Sequence, residues 1–94
     1  MYSVLLRPVD GARPVPDQVA LHKSWLEAGM AEGIFMLWGS LDSGGGAILA
    51  RAESRTVLEE RIAADPFVQG SIVSAEILQL TPARVEPQLA QFFD

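Results

Sequence analysis

The order in which strand-like and helix-like segments follow one another constrains this chain more than any other feature of its sequence. Short apolar runs, typical of β-strands, alternate with two segments whose apolar residues recur at helical spacing, and turn-forming residues separate them. The predicted strands cover residues 2–7, 34–38, 47–52 and 71–80, and the predicted helices cover residues 17–32 and about 54–64. The order of elements is therefore β-α-β-β-α-β.

Most of these segments end at residues with a physical reason to end them. Asp17 follows Pro16 and is suited to cap the first helix, and Gly33 is suited to end it. Pro66 ends the second helix because the residue before a proline is pushed out of helical geometry. Residues 39–46 are predicted to form a hairpin loop. The element order then predicts an α+β, ferredoxin-like fold, with an antiparallel sheet and both helices on one face.

The length and the strand composition predict one domain that pairs with another copy. The 94 residues allow a single domain, which we assign to residues 1–82, with a C-terminal tail over 83–94. The predicted strands 34–38 and 47–52 are apolar at both alternate positions, whereas the open face of a sheet is expected to be polar. The second face is therefore expected to pack against a sheet from another subunit, which predicts a homodimer or higher homo-oligomer.

The charge and the residue composition exclude several classes of function. The net charge is −5 and the seven basic residues are scattered, so a positively charged nucleic-acid footprint is missing. No apolar stretch approaches the roughly 20 residues needed to span a membrane, and the N-terminus does not resemble a signal peptide. We expect no nucleic-acid partner, no membrane association and a cytoplasmic location. With no cysteine and one histidine, we expect no metal site and no cofactor.

His22 is the only histidine, and helical spacing directs it towards the interior. At about 100° per residue, it lies near the middle of the apolar half of the first helix. The same half carries Val19, Leu21, Trp25, Leu26 and Met30, and the opposite half carries Lys23, Ser24 and Glu27. Histidine exchanges protons near neutral pH, so His22 is the candidate general acid or base. The alternative is a core histidine whose ring bonds to a backbone carbonyl.

Asp65 is the second catalytic candidate. It ends the second predicted helix and lies near Leu58 on the buried side of that helix. A carboxylate at a helix C-terminus faces the negative end of the helix dipole, which disfavours it by roughly 0.3–1 kcal/mol. A bond to His22 would compensate, and it would fix the histidine tautomer and make the other ring nitrogen more basic. The alternative is an Asx-turn before Pro66.

Four further residues are candidates for substrate binding, each with a simpler alternative. Arg7, at the end of the first strand, could bind an anionic substrate, but we favour a solvated side chain. Gly39 would let a ligand approach closely and Ser40 could donate a hydrogen bond, unless the two form an ordinary turn after the second strand. Trp25 could be the wall of a pocket beside His22, but we favour a place in the core.

These residues, taken in order, resemble the YCII (YciI-like) family. The resemblance extends from Tyr2 to about Pro82 and rests on the sequences His22-x-x-Trp25-Leu26, Trp38-Gly39, Gly45-Gly46 and Asp65-Pro66-Phe67. It implies a dimeric α/β barrel of ferredoxin-like subunits, with a pocket in which His22 and Asp65 form a dyad. The family is similar in fold to muconolactone isomerases and small monooxygenases, and some members look like lyases or dehydrochlorinases of small ring compounds. The family usually shows Gly-Pro where this chain has Gly39-Ser40, which leaves substrate contacts there open.

Two functions and one purely structural role fit these residues. The first is a small cofactor-free enzyme in which His22, oriented by Asp65, moves a proton on a small cyclic or carbonyl compound, as in isomerisation or elimination of HCl. The second is a non-catalytic dimer that binds a small ligand or serves as an accessory module. The third is a contact between His22 and Asp65 that only holds the two helices together. We favour the enzyme.

Overall fold

The computed structural model describes residues 1–51 and 54–93 and confirms the predicted fold class. The elements in chain order are β1 (Tyr2–Pro8), α1 (Pro16–Ala31), β2 (Phe35–Ser40), β3 (Gly46–Ala50), α2 (Arg55–Ala63), α3 (Pro66–Gln69) and β4 (Val73–Gln79), followed by a C-terminal 3-10 helix (Pro87–Phe92). The strands form one antiparallel sheet in the order β2-β3-β1-β4. The fold is α+β and ferredoxin-like, with the helices on one face of the sheet.

The core lies between this face and the helices. Alternate residues of a strand point to opposite faces, and in β1 the residues that point to the helices are Tyr2, Val4 and Leu6. Val4 is fully buried and pairs with Ile48 of β3, so the two central strands present one continuous apolar surface. The helices cover it with the buried side chains Leu26, Leu58 and Ile62.

The first helix begins one residue earlier than predicted, and Asp17 is not its cap. Val15 is the residue before the helix, and its N–H donates to Gln18 Oε1 at 2.9 Å. Pro16 takes the first helical position, which suits proline because an N–H there would have no partner within the helix. Asp17 lies in the first turn instead. At the other end, Gly33 has a φ of 76° and ends the helix as predicted.

The buried face of α1 is narrower than the helical wheel predicted. Leu21 and Met30, both assigned to the buried half, are 58% and 42% exposed. The partly or fully shielded residues recur at spacings of three and four and are Gln18, Val19, His22, Trp25, Leu26 and Gly29. A Cβ at Gly29 would overlap the Phe35 ring, so glycine permits the close approach of α1 to β2. Leu21 and Met30 lie about 80–100° from His22 around the helix, beyond the line of contact.

The second strand is longer than predicted, so Gly39 and Ser40 belong to β2 and not to the loop after it. They pair with Ala47 and Gly46 of β3. Glycine and serine have little intrinsic preference for strands, and the backbone pairing with β3 decides their conformation. Residue Ala52, the predicted end of the third strand, lies outside the described residues.

The second helix agrees with its prediction, and Pro66 has a second role. Ser54 Oγ accepts a hydrogen bond from the Val57 N–H at 3.2 Å, which confirms the predicted cap. Pro66 prevents α2 from continuing, and it is also the first residue of the short helix α3. The last strand, predicted over 71–80, is shorter because Ser71 has a φ of 54° and still belongs to the turn.

The sheet face away from the helices carries exposed leucines. Leu37 of β2 is 56% exposed and Leu78 of β4 is 48% exposed. Three residues of the tail, Leu89, Phe92 and Phe93, line a cavity of about 380 Å³ together with Leu37 and Leu49 on this face. The tail therefore lies over the β2–β3 half of the sheet. Among the described residues, no helix has the length and hydropathy needed to cross a bilayer.

Candidate active site

Asp65 lies between α2 and α3. Its surroundings differ from the helix C-terminus on which its prediction was based. Its side chain is completely buried and caps α3, because Oδ1 accepts the Phe67 N–H at 3.0 Å. The carboxylate therefore meets the favourable N-terminus of α3 rather than only the unfavourable end of α2. Oδ2 is also buried and accepts no hydrogen bond from residues 1–51 or 54–93. A buried carboxylate oxygen without a donor is uncommon in folded proteins.

His22 contacts the same carboxylate oxygen. Its Nδ1 lies 2.7 Å from Asp65 Oδ1, and the imidazole side chain is 14% exposed. An ionised carboxylate only accepts hydrogen bonds, so an ionised Asp65 selects the tautomer with the proton on Nδ1, which places the lone pair of a neutral imidazole on Nε2. The predicted Asx-type contact and the predicted contact with histidine therefore occur together, on one oxygen of Asp65.

Two aromatic rings hold the imidazole in its orientation. The Phe67 ring is stacked on it with a centroid distance of 3.9 Å and an interplanar angle of 7°. Trp25 lies 5.8 Å away and meets Phe35 edge to face at 5.0 Å, and its Nε1–H donates to the Arg61 carbonyl at 3.2 Å. The two rings and the bond to Asp65 together restrict the imidazole to one orientation.

His22 lines a cleft between α1, α3 and the sheet. The cleft has a volume of about 380 Å³, within the range of small-molecule sites in proteins. It is lined by Leu6, His22, Lys23, Leu26, Trp38, Gly39, Ser40, Gly45, Gly46, Phe67 and Val73. The strand register directs Trp38 and Ser40 to the helix side of the sheet, because Trp38 pairs with the buried Ile48 and Ser40 lies two residues further along β2.

The structure brings together four of the six predicted site residues. His22 and Asp65 are in contact, and Gly39 and Ser40 line the cleft beside His22. Trp25 is not among the lining residues and supports the imidazole from the side of the core. Arg7 points to the other face of the sheet, where it forms an ion pair of 2.8 Å with Glu76.

Eight of the eleven lining residues were not among the predicted site residues, and Lys23 and Phe67 are the two of these whose side chains bear most on the site. Lys23 lies on the flank of α1, and the helical wheel predicted that its side chain faces solvent. The wheel missed its place at the cleft because it carries no information about the loops that pack beside that flank. The Asp65-Pro66-Phe67 motif could have pointed to Phe67. When an aspartate caps a helix that begins with proline, the residue after the proline lies next to the capping side chain. Among the described residues, no group of three histidine, aspartate or glutamate side chains is placed to hold a metal ion.

Comparison with known proteins supports the fold. No protein-family profile and no curated protein sequence matches the chain. The structure is similar to that of the 5-chloro-2-hydroxyhydroquinone dehydrochlorinase TftG from Burkholderia phenoliruptrix AC1100, solved in complex with 2,5-dihydroxybenzoquinone. The TM-score is 0.62 at 18% sequence identity, and the similarity covers 86% of this chain and 94% of the other. At this level of identity, the similarity shows a shared fold.

Proposed function

We propose that this protein is a small-molecule enzyme in which His22 transfers a proton and Asp65 positions it. One observation carries the proposal: the contact of 2.7 Å between His22 Nδ1 and Asp65 Oδ1, at the wall of a cleft of about 380 Å³. The contact engages one ring nitrogen with a buried carboxylate and leaves Nε2 as the nitrogen that can exchange a proton with a substrate.

The chemistry that this arrangement supports begins with proton removal. Nε2 takes a proton from a carbon next to a carbonyl or a good leaving group, and the carbanion's electron pair forms a new double bond. In an elimination the bond to chloride breaks, chloride leaves and the imidazolium passes its proton to water, whereas in an isomerisation the imidazolium returns the proton at another carbon. Asp65 stabilises the imidazolium formed in between. A positioned base contributes about 10²–10⁴-fold to the rate, which suffices for activated substrates.

The size and the walls of the cleft favour a compound with a single ring. A cavity of about 150 Å³ holds benzene, so about 380 Å³ accommodates one substituted ring with its polar groups. Apolar walls from Leu6, Leu26 and Val73 suit the ring, and Ser40 offers a hydroxyl for a ring substituent. The similar fold of a dehydrochlorinase that binds 2,5-dihydroxybenzoquinone supports a lyase, dehydrochlorinase or isomerase of small cyclic or carbonyl compounds.

We further infer that the chain belongs to the YCII family and forms a homodimer through the open face of its sheet. The family motif residues His22, Asp65 and Phe67 occur together at the cleft, which supports membership. The exposed leucines at positions 37 and 78 support an interface on the open face, since apolar surface of this kind marks association sites.

The experiment that tests the proposed function is a comparison of His22→Ala with Leu21→Ala. Chloride release from 5-chloro-2-hydroxyhydroquinone and isomerisation of small unsaturated lactones would be measured for both variants and for the unmodified protein. Leu21 precedes His22 on the same helix and is 58% exposed, so its variant controls for changes to α1. We expect turnover to fall about 10²–10⁴-fold in His22→Ala only. Undiminished turnover in that variant would falsify the proposal.

A non-catalytic binding module is the second candidate, and the composition of the cleft is what favours it. Besides His22, the lining residues include no aspartate, glutamate, tyrosine or cysteine, and Lys23 is the one other lining side chain of a type that serves as a general acid or base. This candidate predicts saturable binding of the same ring compounds without any turnover in the unmodified protein.

A further inference from the structure

We propose that Lys23 makes the cleft selective for ring compounds that carry an anionic oxygen, such as a carboxylate or an ionised hydroxyl. This inference rests on the proposed function, because it names the substrate class of the same cleft. It concerns affinity rather than proton transfer, so it is testable by binding alone.

The charges around the cleft support an anionic ligand. Lys23 is the one lining residue with a permanent full charge, and no aspartate or glutamate is among the lining residues. The nearest carboxylate in the site, Asp65, is completely buried and engaged with His22. A chain with a net charge of −5 thus presents a cation and no exposed carboxylate at this cleft.

The ammonium group of Lys23 is available to a ligand. Ion pairs between described residues join Arg7 to Glu76, Arg55 to Glu59 and Arg61 to Glu32, and none involves Lys23. A lysine ammonium is a compact charge with three donors on a flexible stem, so it can follow an oxyanion without a fixed geometry. No acidic partner among residues 1–51 and 54–93 has to be displaced first.

The placement of Lys23 also fits an amphipathic ring compound. Lys23 is exposed and lines the cleft, so it lies at the mouth, while the buried residues Leu6, Leu26 and Val73 form the floor. A ring in the cleft would contact the floor and Trp38, and its charged substituent would lie at the mouth beside Lys23. Attraction between charges is stronger there than in bulk water, because the apolar walls lower the local dielectric constant.

The test compares two probes of nearly equal size that differ in charge, benzoate and benzamide. Binding at pH 7 would be followed by NMR shift changes of the Trp38 indole N–H and by calorimetry. We expect benzoate to bind the unmodified protein about tenfold more tightly than benzamide, the gain typical of one hydrogen bond to a charged group. Lys23→Met should remove this preference by weakening benzoate binding alone, and Lys23→Arg should retain most of it.

Arg13→Met is the matched control, because it removes the same charge from an exposed loop residue that does not line the cleft. It should leave both affinities unchanged. Equal binding of the two probes, unchanged benzoate affinity in Lys23→Met, or no benzoate binding at millimolar concentration would each overturn the inference. Loss of the preference in His22→Gln but not in Lys23→Met would also overturn it, since a protonated imidazole would then be the anion receptor.

The outcomes separate this inference from the proposed function. A charge preference that depends on Lys23, without turnover of any substrate, would support the anion site and contradict the enzyme. Turnover that depends on His22, with the same KM for an anionic substrate in Lys23→Met, would support the enzyme and contradict the anion site.

Discussion

The two faces of the sheet each carry a short side-chain contact to a carboxylate, and the two contacts differ in almost everything except length. His22 and Asp65 lie 2.7 Å apart, with side-chain exposures of 14% and 0%. Arg7 and Glu76 lie 2.8 Å apart, with exposures of 52% and 51%. The distance between a carboxylate and its partner therefore says little about what the contact contributes.

Burial explains the difference. In the single subunit, water solvates Arg7 and Glu76 on the open face whether or not they pair, so their attraction is largely screened. On the helix face, the Asp65 carboxylate has lost its hydration, and its Oδ1 depends on the His22 imidazole and the Phe67 N–H as donors. Each donor would in turn be left unsatisfied without the carboxylate. The buried contact is thus a structural requirement as well as a candidate catalytic arrangement.

The largest expected effect is that of Asp65→Ala on stability. The variant loses the contact with His22 and the cap of α3 together. We expect the free energy of unfolding to fall by about 3 kcal/mol, since an unsatisfied buried group costs about 1–3 kcal/mol and a lost cap about 0.5–2 kcal/mol. Urea denaturation followed by circular dichroism would measure the loss.

Asp65→Asn separates the two contributions, because asparagine is also a good N-cap but carries no charge. We expect it to be more stable than Asp65→Ala and to show a different nitrogen-15 pattern for His22, since the carboxylate no longer selects the Nδ1–H tautomer. If the free energy of unfolding of Asp65→Ala lies within about 0.5 kcal/mol of that of the unmodified protein, the buried contact does not stabilise the fold.

The next largest effect is expected on the open face, from Leu37→Lys. Leu37 is 56% exposed on the edge strand β2, so a lysine there should leave the isolated subunit folded. At a dimer interface it would bury a charge, and we expect the dissociation constant to rise at least about tenfold, or about 1.4 kcal/mol. Analytical ultracentrifugation over a range of concentrations measures this.

Leu21→Lys is the control for that experiment, because Leu21 is 58% exposed on α1, on the other side of the molecule. It should leave the dissociation constant of the proposed dimer unchanged. Identical sedimentation of the two variants would contradict an interface on the open face.

The smallest expected effect is that of Glu76→Ala, which removes the exposed partner of Arg7. We expect a change in the free energy of unfolding of less than about 1 kcal/mol, decreasing further in high salt. Denaturation curves at low and high salt concentrations would measure it. A loss comparable to that of Asp65→Ala would show that the two faces are equivalent and that a solvent-screened pair is the wrong description of the open face.

Much of this architecture was predictable, because periodicity and turn chemistry are local properties. The β-α-β-β-α-β order, the Ser54 cap and the Gly33 stop each depend on a few neighbouring residues. The errors lie where distant parts of the chain decide the outcome. The helical wheel placed Leu21 and Met30 inside because it weighs hydrophobicity around the axis, whereas the sheet and α3 contact only one narrow line of the helix.

The sequence by itself determined the fold class and drew attention to His22 and Asp65, since a lone histidine on an apolar helical stripe and an aspartate before a proline are visible without coordinates. Only the tertiary structure decided that the His22 ring and the Phe67 N–H contact the same oxygen of Asp65, and that the Phe67 ring stacks on the imidazole. It also decided that Lys23 lies at the cleft while Arg7 does not. The physical reason is that side-chain direction in a strand, and the neighbours of a helix flank, follow from pairing and packing between residues far apart in the chain.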